Sequence, residues 1–481
     1  MSKSLIVAAV RAAAARRPDS VALVSPRETV SYAELESRAA GVAAALARVG
    51  DSAIGLLHPN SPGFVSGLLG ALWAGKTVAL LPFIAPPPVL KLMAAAAGVR
   101  SVLASPELAP RAAEAGLEVL AADSSAASSG TLPPLAPLAQ QEAVLIYTSG
   151  TTGMPKAVAL SESNMLANVE GCRLAGPFSG DDVMLAILPL FHAFGLTVTV
   201  LLPLTLGGKI VLEDRFVPRT SLQSVAAHRV TAMIGVPGQF RLLAKEKETL
   251  DVDAASLRLC ISGAERLGHH TEEAFQQSFA RPLLQGYGAT EASPVVAFNR
   301  PSHNRSGSVG LPLPNSRVTI REDSRVLPVG EQGEVCMEGP SVMLGYFRQP
   351  EATAKKAPGG VLHTGDRGWL DADGYLHLAG RHDDMIKIAG EKVYPSEIER
   401  ALEQVPGLEE AAVIGVTGES GETVLAAFVA PSAGAILHDA AVRVAARNLV
   451  GAAKAPKTVT VLAQLPRTPA GKVDKKALAK P

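Results

Sequence analysis

Cysteine is scarce, with three residues in 481: Cys172, Cys260 and Cys336. An odd, widely spaced set with no paired spacing argues against a disulfide framework and against zinc, and it fits a reducing cytoplasm. Net charge is missing as well. Lys plus Arg number 45 and Asp plus Glu number 45, so no overall field draws in nucleic acid or an anionic membrane. A secretory leader is not evident. The apolar run after Lys3, from Leu5 to Val10, is too short for one and meets Arg11, Arg16 and Arg17, so it reads as an amphipathic helix. Residues 183–208 are nearly all apolar, yet Pro189, His192 and Pro203 interrupt them and short Val/Leu/Thr runs flank the breaks. The segment reads as a buried strand–helix–strand rather than a membrane span. No internal repeat is visible.

What is present points to a large globular protein. Hydrophobic residues make up 47% and charged residues 19%, and a chain this long exceeds what one core supports, so two or three domains are expected. Short apolar runs alternate with helical patterns, the α/β signature. Strands are expected at 52–57, 77–81, 144–147, 184–187, 209–212, 231–235 and 257–262. Residues 121–138, rich in Ala, Ser and Pro, read as a surface loop or linker. From Ser306 onward, strand–turn units with Gly330, Gly333, Gly339 and Asp373-Gly374 predict a small β-rich subdomain. A boundary falls near 380–384. Beyond it Ser396-Glu397-Ile398-Glu399 matches a capping box, with Ile398, Leu402 and Val405 at helical spacing. Strands at 411–416 and 424–429, a helix at 440–449 and a strand at 458–462 complete a separate α+β unit.

One segment carries phosphate chemistry. The strand Val144-Leu145-Ile146-Tyr147 runs into Thr148-Ser149-Gly150-Thr151-Thr152-Gly153-Met154-Pro155-Lys156. Two glycines permit a tight turn that exposes N–H groups, four hydroxyls can donate to phosphate oxygens, and Lys156 adds a point charge. This is not a Walker loop, because only two residues separate the glycines and the lysine lies beyond a proline.

At these residues the sequence resembles the adenylate-forming superfamily, which includes acyl-CoA synthetases, nonribosomal peptide adenylation domains and beetle luciferases. The resemblance covers essentially the whole chain. It continues in order through Leu188-Pro189-Leu190-Phe191-His192-Ala193-Phe194-Gly195, Ser262-Gly263-Ala264-Glu265 and Tyr287-Gly288-Ala289-Thr290-Glu291. Thr364-Gly365-Asp366, Gly380-Arg381-His382-Asp383-Asp384 and Pro466-Arg467-Thr468-Pro469-Ala470-Gly471-Lys472 follow. Two departures stand out: Ala157 where the family often has Gly, and Glu162 where it often has His. The chain is also short for the family.

The resemblance implies a fold and a set of roles. The fold is α/β: a large N-terminal lobe of αβ sandwich subdomains plus a small β-rich subdomain (1–380), a hinge (381–383) and a mobile α+β C-terminal domain (384–481). Adenylation joins a carboxylate to the α-phosphate of ATP and expels pyrophosphate, so positive charge is required where two anions meet. Lys472, on the lid, is the implied catalytic lysine, although Lys475, Lys476 and Lys480 make a solvated tail the plain alternative. Mg2+ falls to Glu291, with Thr290 bonding phosphate. Tyr287 offers adenine a flat face against Gly263, Ala264, Glu265 and Gly288. Asp366 takes the ribose hydroxyls, with Arg381 beside it. His192, which the resemblance sets beside the acyl carboxylate to orient the acid rather than act as a base, with a satisfied core histidine as the plain alternative, lines the acyl pocket with Phe194, Gly195, Val236, Gly286 and Ala289, and the small Gly286, Gly288 and Ala289 leave room for an alkyl chain. In the thiol step the lid turns about Asp383 and presents Lys387, Gly390 and Glu391 to the adenylate.

Relatives that activate amino acids place an aspartate after the phenylalanine at the His192 motif. This chain has Phe191-His192, and an unpaired ammonium there would be costly. The expected substrate is therefore an apolar carboxylic acid, a fatty acid first and an aromatic acid second. The acceptor stays open between coenzyme A and the phosphopantetheine of an acyl carrier protein. The rivals are an adenylation protein that stops at acyl-AMP and a non-catalytic nucleotide-binding protein. The expectation is a cytoplasmic monomer or homodimer with no nucleic-acid partner and no membrane span.

Overall fold

Side chains along the strand Val183–Ala186 alternate between two cores. Met184 and Ala186 enter one, and Leu185 enters another on the opposite face. This is the period of a strand buried on both sides, and it recurs through the large lobe. The computed structural model describes residues 4–120, 133–136, 141–148, 156–381, 384–388, 391–417, 423–432, 434–452, 454–467 and 473–479.

Two sheets build the large lobe. The first, of seven strands, runs in the order Gly345–Tyr346, Lys156–Leu160, Val144–Thr148, Thr77–Leu80, Ala53–Leu57, Ser101–Ala104, Glu118–Val119. The second, of nine, has Leu284–Gly288, Leu259–Ser262, Ala232–Gly235, Val183–Ala186 and Lys209–Leu212 as consecutive parallel neighbours. A shared core between them takes Ile54, Leu56 and Val78 from one sheet, Met184, Ile210 and Ile234 from the other, and the inner faces of the helices Leu5–Arg16, Tyr32–Leu46 and Pro62–Trp73. Each sheet has a separate core on its outer face. All seven expected strands of this lobe form, within two residues of the expected ends.

The 183–208 run resolves as strand–helix–strand. After Val183–Ala186 come a helical turn Ala193–Leu196, a π-helical turn Thr197–Leu201 and a turn Leu202–Leu206, before the strand Lys209–Leu212. The Thr199 hydroxyl donates to Gly195 O at 2.5 Å, the kind of side-chain insertion that loosens a helical ladder. Gly207, at φ 92°, ends the helix. Among the described residues no helix is long and apolar enough to cross a membrane.

A five-stranded antiparallel sheet, Arg325–Val326, Arg317–Glu322, Gly333–Glu338, Leu362–Leu370, Leu376–Arg381, forms the β-rich subdomain expected after residue 306. Residues from 386 onward make their own sheets and two cores of their own. This unit meets the large lobe through pairs of Arg266 with Glu403 and Arg241 with Glu409, the latter at 2.6 Å.

The capping box at Ser396 does not form. Pro395 takes the first helical position of Pro395–Leu402, where its missing N–H costs nothing, so Ser396 sits one residue inside. Its hydroxyl donates instead to the carbonyl of Ala379, and Glu399 accepts from Val413 N at 2.8 Å. Of the 121–138 linker only 133–136 are described. There Trp73 Nε1 donates to Pro133 O at 3.0 Å. The Glu162 departure also has a reason: its carboxylate accepts from the Ser4 hydroxyl and from Leu5 N at 2.6 Å, satisfying donors at the start of the first helix.

Candidate active site

The strands Val144–Thr148 and Lys156–Leu160 pair antiparallel, with Thr148 opposite Lys156. The glycine–hydroxyl segment therefore joins two ends held side by side. Ser149, Gly150, Thr151, Thr152 and Gly153 themselves lie outside the described residues. The Lys156 ammonium lies over the ring of Tyr346, 5.0 Å from its centroid. Tyr346 belongs to the edge strand that pairs with Lys156–Leu160. Its hydroxyl donates to Glu291 Oε1 at 2.7 Å. Burial and the Glu291 charge both push the phenol pKa up, so it stays a donor.

Glu291 stands in a single 3₁₀ turn, Thr290–Ala292, and that turn is clamped from behind. Buried Asn168 donates to Ala292 O (3.1 Å) and Val295 O (2.8 Å) and accepts from Val295 N (3.1 Å). Met343 N donates to Glu291 O at 2.8 Å. The same device supports His192. Buried Asn60 donates to Leu188 O at 2.8 Å and accepts from Leu190 N at 3.0 Å. Each amide satisfies backbone groups of an irregular turn that no strand or helix would satisfy.

On the opposite side, Asp366 and Arg381 face each other across two strands, with Arg381 Nε 3.6 Å from Asp366 Oδ1. The Tyr287 hydroxyl donates to Asp366 Oδ2 at 2.5 Å, so the ring is pinned at its tip. Burial raises the Asp366 pKa, while the Tyr287 hydrogen bond and the Arg381 charge oppose that shift. Lys356, which sequence reasoning passed over, donates to Thr364 O at 2.8 Å beside this pair. Ala264 has φ 67°, a left-handed conformation that costs a non-glycine residue about 1–2 kcal/mol.

The acyl-side residues separate into two groups. Phe194 packs on Gly263, where an added Cβ would lie 2.8 Å from the ring. Behind Gly286 stand Phe298 and Ile261. At Gly288 the Pro294 carbonyl stands where a side chain would begin, so the missing side chain admits that carbonyl. Gly195 likewise lies against the carbonyl of Pro189. Ala289 packs with Tyr287 against the core of the small sheet, and Val236 N donates to Gln239 Oε1 at 3.0 Å. His192 instead opens, with Thr148, onto a cleft of about 190 Å³ otherwise walled by Leu80, Pro82, Met93, Tyr147 and Phe191.

On the lid, Ile386–Ile388 and Glu391–Val393 pair antiparallel with Ile388 opposite Glu391. Asp383, Gly390, Lys472 and the side chains of Lys387 and Glu391 lie outside the described residues. Arg467 and Val473 form a β-bridge, so residues 468–472 connect two paired positions. One group among the described residues gathers metal-type donors: Glu334, Cys336 and His363. His363 Nδ1 lies 2.8 Å from Glu334 Oε2, and Gly365 N donates to Glu334 Oε1 at 3.0 Å, so these groups already serve one another.

Besides Lys356, sequence reasoning missed Tyr346, Asn60 and Asn168. None of these three sits in a short motif with its partner, and the spacing to that partner exceeds 50 residues in each case.

Residues 10–347 match the AMP-binding enzyme family and residues 397–472 match the AMP-binding enzyme C-terminal domain. The chain belongs to the AMP-binding enzyme family. Within it, a long-chain-fatty-acid–CoA ligase of Salmonella typhimurium is 38% identical over 350 residues, 71% of this chain and 62% of that ligase. The chain thus spans less than two thirds of that relative's length. A feruloyl-CoA synthase of Amycolatopsis is 33% identical over 468 residues, 95% of this chain and 94% of that protein. Among solved structures, ATP-bound MatB from Rhodopseudomonas palustris is 29% identical, covers 99% of this chain and 98% of its own, and superimposes with a TM-score of 0.89. The apo form of the same protein gives 0.82.

Proposed function

We propose that this AMP-binding enzyme family member is an acid–thiol ligase. It activates an apolar carboxylic acid as acyl-AMP and passes the acyl group to coenzyme A or to a carrier-protein phosphopantetheine. The observation that carries this reading is the convergence of two tyrosine–carboxylate pairs, Tyr346–Glu291 and Tyr287–Asp366, with Lys156 and Arg381 beside them. Lys156 neutralises triphosphate charge, Asp366 takes the ribose hydroxyls, and Lys472 completes the site from the lid as residues 381–383 turn. A carboxylate oxygen of the acid then bonds to the α-phosphorus, and the bond to pyrophosphate breaks. In the second step the thiol gives up its proton to solvent, its sulfur bonds to the acyl carbon and AMP departs with the acyl–oxygen bond pair.

The donor set around Glu291 suits magnesium. Glu291 offers carboxylate oxygen and Thr290, beside it in the same turn, a hydroxyl, and one carboxylate oxygen is already oriented by Tyr346. When bound, the ion screens phosphate charge.

A fatty acid is the first reading for the acid, supported by the ligase relatives. An aryl acid is the second, supported by the near full-length match to a feruloyl-CoA synthase. The roles are tested by Lys472→Ala. Adenylation falls at least about a hundredfold, the scale of losing one transition-state charge partner. Thioester formation from supplied acyl-AMP falls far less. Equal loss in both assays removes the role given to Lys472.

A further inference from the structure

The phenol of Tyr346 touches two groups of opposite charge, Glu291 and Lys156. Its hydroxyl holds Glu291 Oε1 at 2.7 Å, and its ring faces the Lys156 ammonium at 5.0 Å. The side chain is itself fixed. Tyr346 is 8% exposed, its N–H donates to Thr353 Oγ1 at 2.8 Å, and its strand is zipped to the phosphate-loop strand through Leu344 N to Ala159 O and Phe347 N to Ala157 O. Met343 N, three residues earlier, holds the Glu291 backbone carbonyl. A single short edge strand therefore anchors both the exit of the glycine–hydroxyl segment and the acidic turn. The sheet strand and the 3₁₀ turn it joins are far apart in sequence.

We propose that Tyr346 is a positioning residue for nucleotide binding, setting the Glu291 carboxylate for the metal–phosphate and holding Lys156 above its ring toward the same phosphates. This rests on the function proposed above. A free glutamate would sample several rotamers and would have to give them up when ATP and its cation arrive. Tyr346 fixes one oxygen in advance. The contact with Lys156 is of the cation–π kind and needs only the ring. The hydroxyl and the ring thus do separable things, and substitution can divide them. Tyr346→Phe keeps the ring and removes the hydrogen bond. Tyr346→Leu removes both.

The test is direct binding of ATP, measured by calorimetry across a magnesium series, for the wild type, Tyr346→Phe, Tyr346→Leu and Glu291→Gln. In Tyr346→Phe the magnesium needed for half-maximal ATP binding rises about tenfold, the scale of one hydrogen bond to a charged group. ATP binding without magnesium stays within twofold of wild type. In Tyr346→Leu, binding without magnesium also weakens, by about threefold, the scale of an exposed cation–π contact. Adding Tyr346→Phe to Glu291→Gln shifts the magnesium dependence no further, because both act through one contact. A merely structural tyrosine would weaken binding equally at every magnesium concentration, and that result overturns the proposal. If Glu291→Gln shifts the magnesium dependence while Tyr346→Phe does not, the proposal fails and the reading of Glu291 stands. If Glu291→Gln changes nothing, both fail.

Discussion

Tyr287 and Asp366 are 79 residues apart and lie in different sheets, yet the phenol of one donates to the carboxylate of the other at 2.5 Å. The bond joins the residue expected under adenine to the residue expected under ribose and fixes the two relative to each other. Tyr287→Phe should weaken ATP binding about tenfold and leave the KM for the acid within twofold. The same hydrogen bond lowers the Asp366 pKa against burial. In the variant Asp366 should therefore protonate at higher pH, and ATP affinity should begin to fall at a higher pH than in the wild type. Calorimetric titration at several pH values reads both effects.

Asn60 supports the His192 turn from another subdomain through Leu188 O and Leu190 N. Asn60→Ala leaves buried backbone groups unpaired and should cost about 1–3 kcal/mol in denaturant unfolding. It should raise the KM for the acid at least fivefold while the KM for ATP stays near wild type, because the phosphate strand and Glu291 have other supports. Parallel loss for both substrates would show that the turn is not the acid side.

His58 lies at the end of Ala53–Leu57, and burial lowers its pKa from 6.5 to about 4, with Glu107 offsetting part of the shift. Its Nδ1 has no hydrogen-bond partner among the described residues. Between those two pKa values the unfolded chain binds a proton that the folded protein does not, so stability falls as pH drops from about 6.5 to about 4. The loss reaches at most about 3 kcal/mol. Replacing His58 with Gln should flatten this part of the profile, measured as unfolding free energy from pH 7 to pH 4.5.

All three cysteines are buried, and burial pushes each thiol up to about 12. Such thiols are protonated and shielded at neutral pH. Iodoacetamide at pH 8 should leave them unmodified in the native protein by intact mass, and all three should react in denaturant. Rapid native labelling of Cys336 would place it outside the core of the small sheet.

The strands of the large lobe were legible because burial on both faces leaves compact apolar runs bounded by Gly, Pro and charge. The site was legible only in fragments. Thr148, Glu291, Asp366 and Arg381 sit in short motifs, but Tyr346, Asn60 and Asn168 act across long sequence separations that no local pattern encodes. Ser396 shows the opposite error: its S-x-x-E spacing suits a cap, but the preceding Pro395 already occupies the first helical turn. Gly288 is similar, since its small size serves a close approach of the Pro294 carbonyl.

The most direct measurement is pyrophosphate release from ATP in the presence of single carboxylic acids, spanning fatty, aryl and amino acids, each with and without coenzyme A or a carrier protein bearing phosphopantetheine. The expected result is release that depends on an apolar fatty or aryl acid, with a thioester product when a thiol acceptor is added. Release with no acid in the panel, or ATP binding without turnover for every acid, would contradict an adenylating role.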